Sequence, residues 1–125
     1  MTTKVKKRGN LIRGQFGESL IVEFCTVRGD EIIERNWRIR EGEIDIVTMD
    51  SAGAFHFIEV KTRSSLAYGH PFEAITPAKL MRMQRLALAW LATHDCFGCA
   101  YVIDIASVVI QPDGSHVIEY RGDVL

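Results

Sequence analysis

Glu43, Asp45, Glu59 and Lys61 interrupt two segments otherwise rich in Ile, Val and Phe, GEIDIVTM and FHFIEVKTR. The run Asp50-Ser51-Ala52-Gly53 between them has turn-forming residue types, so the two segments read as the arms of a hairpin. With the turn centred near Ala52, antiparallel pairing sets Met49 against Phe55, Val47 against Phe57, Asp45 against Glu59 and Glu43 against Lys61. Because side chains alternate along a strand, these eight residues are expected on one face, apolar near the turn and charged at the far end.

Directly opposed carboxylates repel unless positive charge lies between them. An oxygen-rich site of this kind selects a hard cation, and Mg²⁺ (or Mn²⁺) commonly takes one or two protein carboxylates beside water and substrate phosphate. Asp45 and Glu59 suffice as ligands, and Lys61 could orient or deprotonate an attacking water while Glu43 assists. Together these point to phosphodiester hydrolysis. The same four residues also fit a salt-bridge cluster in which Lys61 pairs with Glu43 and Glu59, each pair contributing about 0–1 kcal/mol.

Several elements must hold these charges in place. The opposite face of the hairpin, Ile44, Ile46, Thr48, His56, Ile58 and Val60, is apolar enough for burial, which predicts layers on both sides of a sheet. A helix is predicted from about Gly14 to Arg28, closed by Gly29. Its two apolar stripes, Phe16-Leu20-Phe24-Val27 and Ile21-Val22-Cys25, suggest cover on two sides, with Glu18 on the second stripe. Residues 31–39 suggest a strand, residues 64–74 a loop, and Thr76-Pro77 the start of a helix running to about His94. Lys79 lies on that helix in line with Met83, Leu86 and Trp90. It could extend toward the charged cleft or simply snorkel past the end of the core. Arg82 flanks the same stripe and Arg85 points away from it. GCAYVIDIASVVI then reads as strand, Pro112-Asp113-Gly114 as turn and HVIEY as a short last strand. The order is helix, three strands, helix, one or two strands, an α/β chain.

The 125 residues, 47% of them hydrophobic, allow one compact core, read as a single domain over residues 14–125 behind a basic N-terminal arm at 1–13. Lys4, Lys6, Lys7, Arg8 and Arg13 make that arm either a phosphate-seeking segment or a mobile, soluble end. The net charge of −1 excludes wholesale attraction to polyanions, leaving local basic fields as the means of binding them. No apolar run is long enough to span a bilayer and no signal-peptide core follows the basic start, so the cytoplasm is expected. Cys25, Cys96 and Cys99 make no disulfide framework, and Cys96-x-x-Cys99 lacks the second ligand pair of a structural zinc site. His56 is expected to be packed, His70 carries no assignment, and no phosphate-binding glycine loop or nucleophile triad is present.

The string GEIDIV, with Glu59-Val60-Lys61 after it, resembles the PD-(D/E)XK nuclease superfamily. Gly17-Glu18 in the first helix, Asn36 and Arg38 before GEID, IEVKTR and Lys79 resemble more closely the YraN-like family of uncharacterised bacterial proteins. Archaeal Holliday junction resolvases have a similar layout, and the likeness covers residues 14 to about 105. It implies a restriction-endonuclease-like fold, a central mixed β-sheet flanked by α-helices. It also implies metal binding by Asp45 and Glu59, a catalytic role for Lys61 and support from Glu18. Two departures stand out: Ile44 replaces the usual proline before Asp45, and a large Ile21 stands where a small residue commonly follows Glu18.

The combined expectation is a metal-dependent endonuclease acting on DNA, with branched or structured DNA as a substrate class. Arg38, Arg63, Arg82 and Arg85 would join the basic arm on phosphates, so that affinity falls as salt rises. Two copies could pair to engage two strands. The alternative is a nucleic-acid-binding or protein-interaction module that keeps the fold without cutting.

Overall fold

The computed structural model describes residues 2–64 and 69–125, with backbone alone for residues 2–11. Helix α1 (Thr2–Arg28) leads into strands β1 (Glu31–Ile39), β2 (Gly42–Met49) and β3 (Phe55–Arg63). A short 3-10 turn (Pro71–Ala74), helix α2 (Pro77–Thr93) and strands β4 (Tyr101–Ile110) and β5 (His116–Arg121) follow. The five strands form one sheet in sequence order. Among the described residues only β3 and β4 run parallel, and α2 supplies the crossover that a parallel connection requires.

Apolar alternation places a core on each face. Val47, Phe57 and Ile103 pack with Leu86, Trp90 and Leu91 of α2 on one side. Ile46, Ile58, Ala106 and Val108 pack with Ile21 and Cys25 of α1 on the other. This is the expected mixed sheet between helices, a restriction-endonuclease-like arrangement. The α2 start is also as expected, since the Thr76 side chain accepts the Lys79 amide at 3.2 Å and Pro77 opens the first turn.

Three expectations need correction. The helix predicted from Gly14 starts at Thr2, because its lysine- and arginine-rich beginning contains good helix formers and no proline, and a lone Gly9 does not break it. Lys4, Lys6, Lys7 and Arg8 therefore stand on helical backbone, and their side chains lie outside the described residues. The two-sided cover of α1 is absent: Ile21 and Cys25 are fully buried, whereas Phe16 is 45% and Val27 83% exposed. A single sheet face buries Ile21 and Cys25 and half-covers Leu20, Val22 and Phe24, leaving Phe16 and Val27 at the surface.

The third correction concerns the hairpin. Its register is as predicted from Met49↔Phe55 to Ile46↔Ile58, but the ladder ends there, and the pairs Asp45/Glu59 and Glu43/Lys61 do not form. Strand β2 stays with β1 as far as Ile39↔Gly42 and parts from β3. Ile44 consequently joins the α2-side core while Ile46 joins the α1-side core, although simple alternation predicts one face for both. The charged ends of β2 and β3 are separated by a fork.

Candidate metal centre

The fork opens a cleft of about 510 Å³, lined by Arg13, Gly14 and Glu18 of α1, by Asp45, and by Glu59 to Arg63 of β3. Helix α1 is drawn close to this cleft at Gly17. A Cβ added there would lie 1.9 Å from Thr62 Oγ1 and 3.0 Å from Thr62 Cβ, so only glycine permits the approach. One residue on, Glu18 faces Asp45. Carboxylate oxygens of Glu18, Glu43 and Asp45 all lie within 4.8 Å of one another. Three half-buried acids at this spacing form an oxygen donor set suited to a hard divalent cation.

Where the β2–β3 ladder has stopped, Asp45 Oδ2 accepts the Val60 amide at 2.8 Å. Burial and the neighbouring Glu59 carboxylate push the Asp45 carboxyl up to about 7, with Glu18 and Glu43 adding to the effect and the Val60 hydrogen bond opposing it. Burial and then Glu43 also raise the Glu18 carboxyl, against Arg35 and Asn36. A bound cation would offset both the burial and the neighbouring negative charge that raise these carboxyls.

The acids are held from β1. Arg38 binds Glu43 Oε2 through Nη2 at 2.6 Å and Nε at 3.2 Å, although the arginine is largely exposed. Asn36, with its amide nitrogen turned toward the acids, donates to Glu18 Oε2 at 3.0 Å and Glu43 Oε1 at 3.2 Å. No spacing rule in the sequence marks Asn36 for this task. Its only trace there is as part of the motif carrying the family resemblance.

Of the predicted catalytic residues, Glu18, Asp45, Glu59 and Lys61 share the cleft, and Glu43 joins the acidic group. Glu59 is not a member of that group; its carboxylate pairs with Lys61 Nζ at 3.1 Å. The grouped acids therefore set Asp45 with Glu18 and Glu43, while Glu59, the expected second ligand, lines the same cleft and is the strongest charged neighbour of the Asp45 carboxyl. The Lys79 ammonium donates to the Ala74 carbonyl at 3.0 Å and does not line the cleft. Arg13 and Arg63 do line it, whereas Arg82 and Arg85 border a separate groove with Ile39 and Glu41.

His56 is packed as expected, between Asp50 Oδ2 at 2.7 Å and Asp104 Oδ2 at 2.6 Å. The fully buried Asp104 also accepts from Tyr120 Oη and from the Asp123 amide. This network lies on the α1 side of the sheet, near the C-terminal end of α1, where Arg28 Nη2 donates to Tyr120 Oη at 3.2 Å. All three cysteines are free thiols, and among the described residues no helix is long and apolar enough to cross a membrane.

A UPF0102 protein of Renibacterium salmoninarum is 49% identical to this chain over 102 residues, covering 81% of this chain and 84% of its own length. One from Beutenbergia cavernae is 44% identical over 107 residues, with 86% and 90% covered. Among solved structures, Pyrococcus furiosus SfsA in complex with Ca²⁺ aligns at a TM-score of 0.34 and 16% identity, over 95% of this chain and 63% of that one. That likeness is too distant to inform the site. The model of the uncharacterised protein family UPF0102 matches residues 17–108, and with relatives this similar along most of their length, the chain belongs to that family.

Proposed function

We propose that the protein is a divalent-metal-dependent endonuclease of the cytoplasm that hydrolyses phosphodiester bonds in DNA, with branched or structured DNA as its substrate class. The reading rests on one observation: Glu18, Glu43 and Asp45 converge within 4.8 Å at a strand fork, and Glu18 and Asp45 line a cleft together with Lys61. Mg²⁺ or Mn²⁺, when bound, supplies an acidified water and neutralises phosphate charge. The three carboxylates hold that ion. Lys61 Nζ, kept in place by Glu59, orients the water on the cleft side of β3. Arg13 and Arg63 draw the phosphate backbone across the opening, which makes association weaken as salt rises.

Purified protein is to be assayed on linear, flap and four-way-junction DNA with Mg²⁺ or Mn²⁺, beside Asp45→Ala and Lys61→Ala. Metal-dependent cleavage lost in both variants is the expected result. Tight DNA binding with no cleavage under any metal would replace this reading with that of a non-catalytic binding module.

A further inference from the structure

The backbone of Asn36 sits at φ 54°, in the left-handed region, within a strand. Few residues with a side chain tolerate that conformation; asparagine is among them, and glycine would adopt it more easily. A position that favours glycine is therefore occupied by a residue carrying an amide. The amide has a use. Asn36 lies level with Asp45, between the pairs Arg35↔Ile46 and Trp37↔Ile44, and the left-handed turn of its backbone accompanies the placement of its side chain on the acids while Trp37 packs on the α2 side. It contacts one oxygen of Glu18 and the Glu43 oxygen that is not engaged by Arg38. Backbone strain of this kind persists where surrounding structure demands it, and here the demand coincides with two acids from different elements.

We propose that Asn36 is the positioning residue of the centre: its amide bridges Glu18 on α1 to Glu43 on β2 and sets the spacing at which they and Asp45 meet a divalent cation. The proposal rests on the metal-binding reading above and refines it. A hydrogen-bonded partner behind metal-ligating carboxylates holds their orientation, and removing such a partner commonly weakens metal binding by about 10–100-fold. Arg38 alone cannot do this, because it grips Glu43 and has no described contact with Glu18.

Two substitutions test it. Asn36→Gly deletes the amide while relaxing the backbone, so the fold is preserved. Asn36→Asp keeps shape and replaces the donor by a fourth acid. Mn²⁺ binding is measured by calorimetry, and Tm is measured with and without Mn²⁺. The expected result is that Asn36→Gly holds or raises the metal-free Tm yet binds Mn²⁺ about ten-fold or more weakly. Asn36→Asp should lower the metal-free Tm, and saturating Mn²⁺ should raise it by more than it raises that of wild type, as a new carboxylate beside the bound ion requires. Wild-type affinity in Asn36→Gly, or a Mn²⁺-induced rise in Asn36→Asp no larger than that of wild type, overturns the role of Asn36 while the metal site stands. Wild-type protein that takes up no Mn²⁺ overturns the metal site and this role together.

Discussion

The carboxylate of Asp45 accepts the backbone amide of Val60, tying β2 to β3 at the point where their ladder has ended. A side chain thereby satisfies a strand amide that would otherwise be lost at the fork, and the same bond fixes the acid at the mouth of the cleft. Asp45 has a structural duty as well as its proposed chemical one, and the two can be separated by experiment.

Without divalent ions, Asp45→Asn is expected to be more stable than wild type at pH 8. The folded-state value of about 7 lies above the ordinary 3.8, so this carboxyl favours the folded state at low pH and that contribution disappears as pH rises through about 7. Asparagine keeps an oxygen for the Val60 amide and carries no charge. The expected gain is on the order of 2–4 kcal/mol at pH 8, fading by pH 5. Denaturant unfolding across that range measures it; a difference that does not change with pH counts against a buried, repelled Asp45.

Lys61→Ala should separate binding from turnover. Its ammonium pairs with Glu59 and does not touch the three converging acids, so Mn²⁺ affinity should stay near wild type. Cleavage should fall by about 10²-fold or more, the usual scale for a group that handles a proton. Calorimetry beside a junction-cleavage assay resolves the two, and equal losses in both would assign Lys61 to the metal site itself.

Gly17→Ala tests the close approach of α1 to β3. A methyl group would collide with Thr62, and overpacking of this sort costs about 1–3 kcal/mol. Gly14→Ala is the control, since nothing lies within 4 Å of its added Cβ and alanine favours a helix by about 1 kcal/mol. Opposite shifts in denaturation midpoint are expected, and a harmless Gly17→Ala would mean that α1 sits farther from the sheet.

His56 should impose a second pH dependence. Burial opposes its charge, but the hydrogen bonds it donates to Asp50 and Asp104 outweigh this and raise its pKa above 6.5. The stabilisation is complete below 6.5 and is lost as pH climbs through the raised value. In a background of Asp45→Asn, replacing His56 with Gln should flatten stability over this window; a slope that survives both changes must come from other groups.

Much of the fold was legible because it depends on local rules. Turn chemistry at Asp50 to Gly53 and the alternation of Val47, Phe55 and Phe57 specify the hairpin register near the turn. Thr76-Pro77 marks the start of α2. Glu18, Glu43, Asp45, Glu59 and Lys61 could likewise be singled out, as acids and a lysine among apolar residues or through the family motif.

Which of those acids meet was decided by tertiary structure. Alternation assumes that a strand keeps its partner, yet β2 leaves β3 after Ile46 and follows β1, carrying Glu43 and Asp45 toward α1. Gly17 against Thr62 brings Glu18 within reach, and the left-handed backbone of Asn36 accompanies an amide placed between two carboxylates. These are contacts between residues far apart in the chain, and their distances depend on how whole elements pack. The sequence by itself determined the elements and the stock of charged groups; only the packing of α1 and β1 around the fork chose the set that converges.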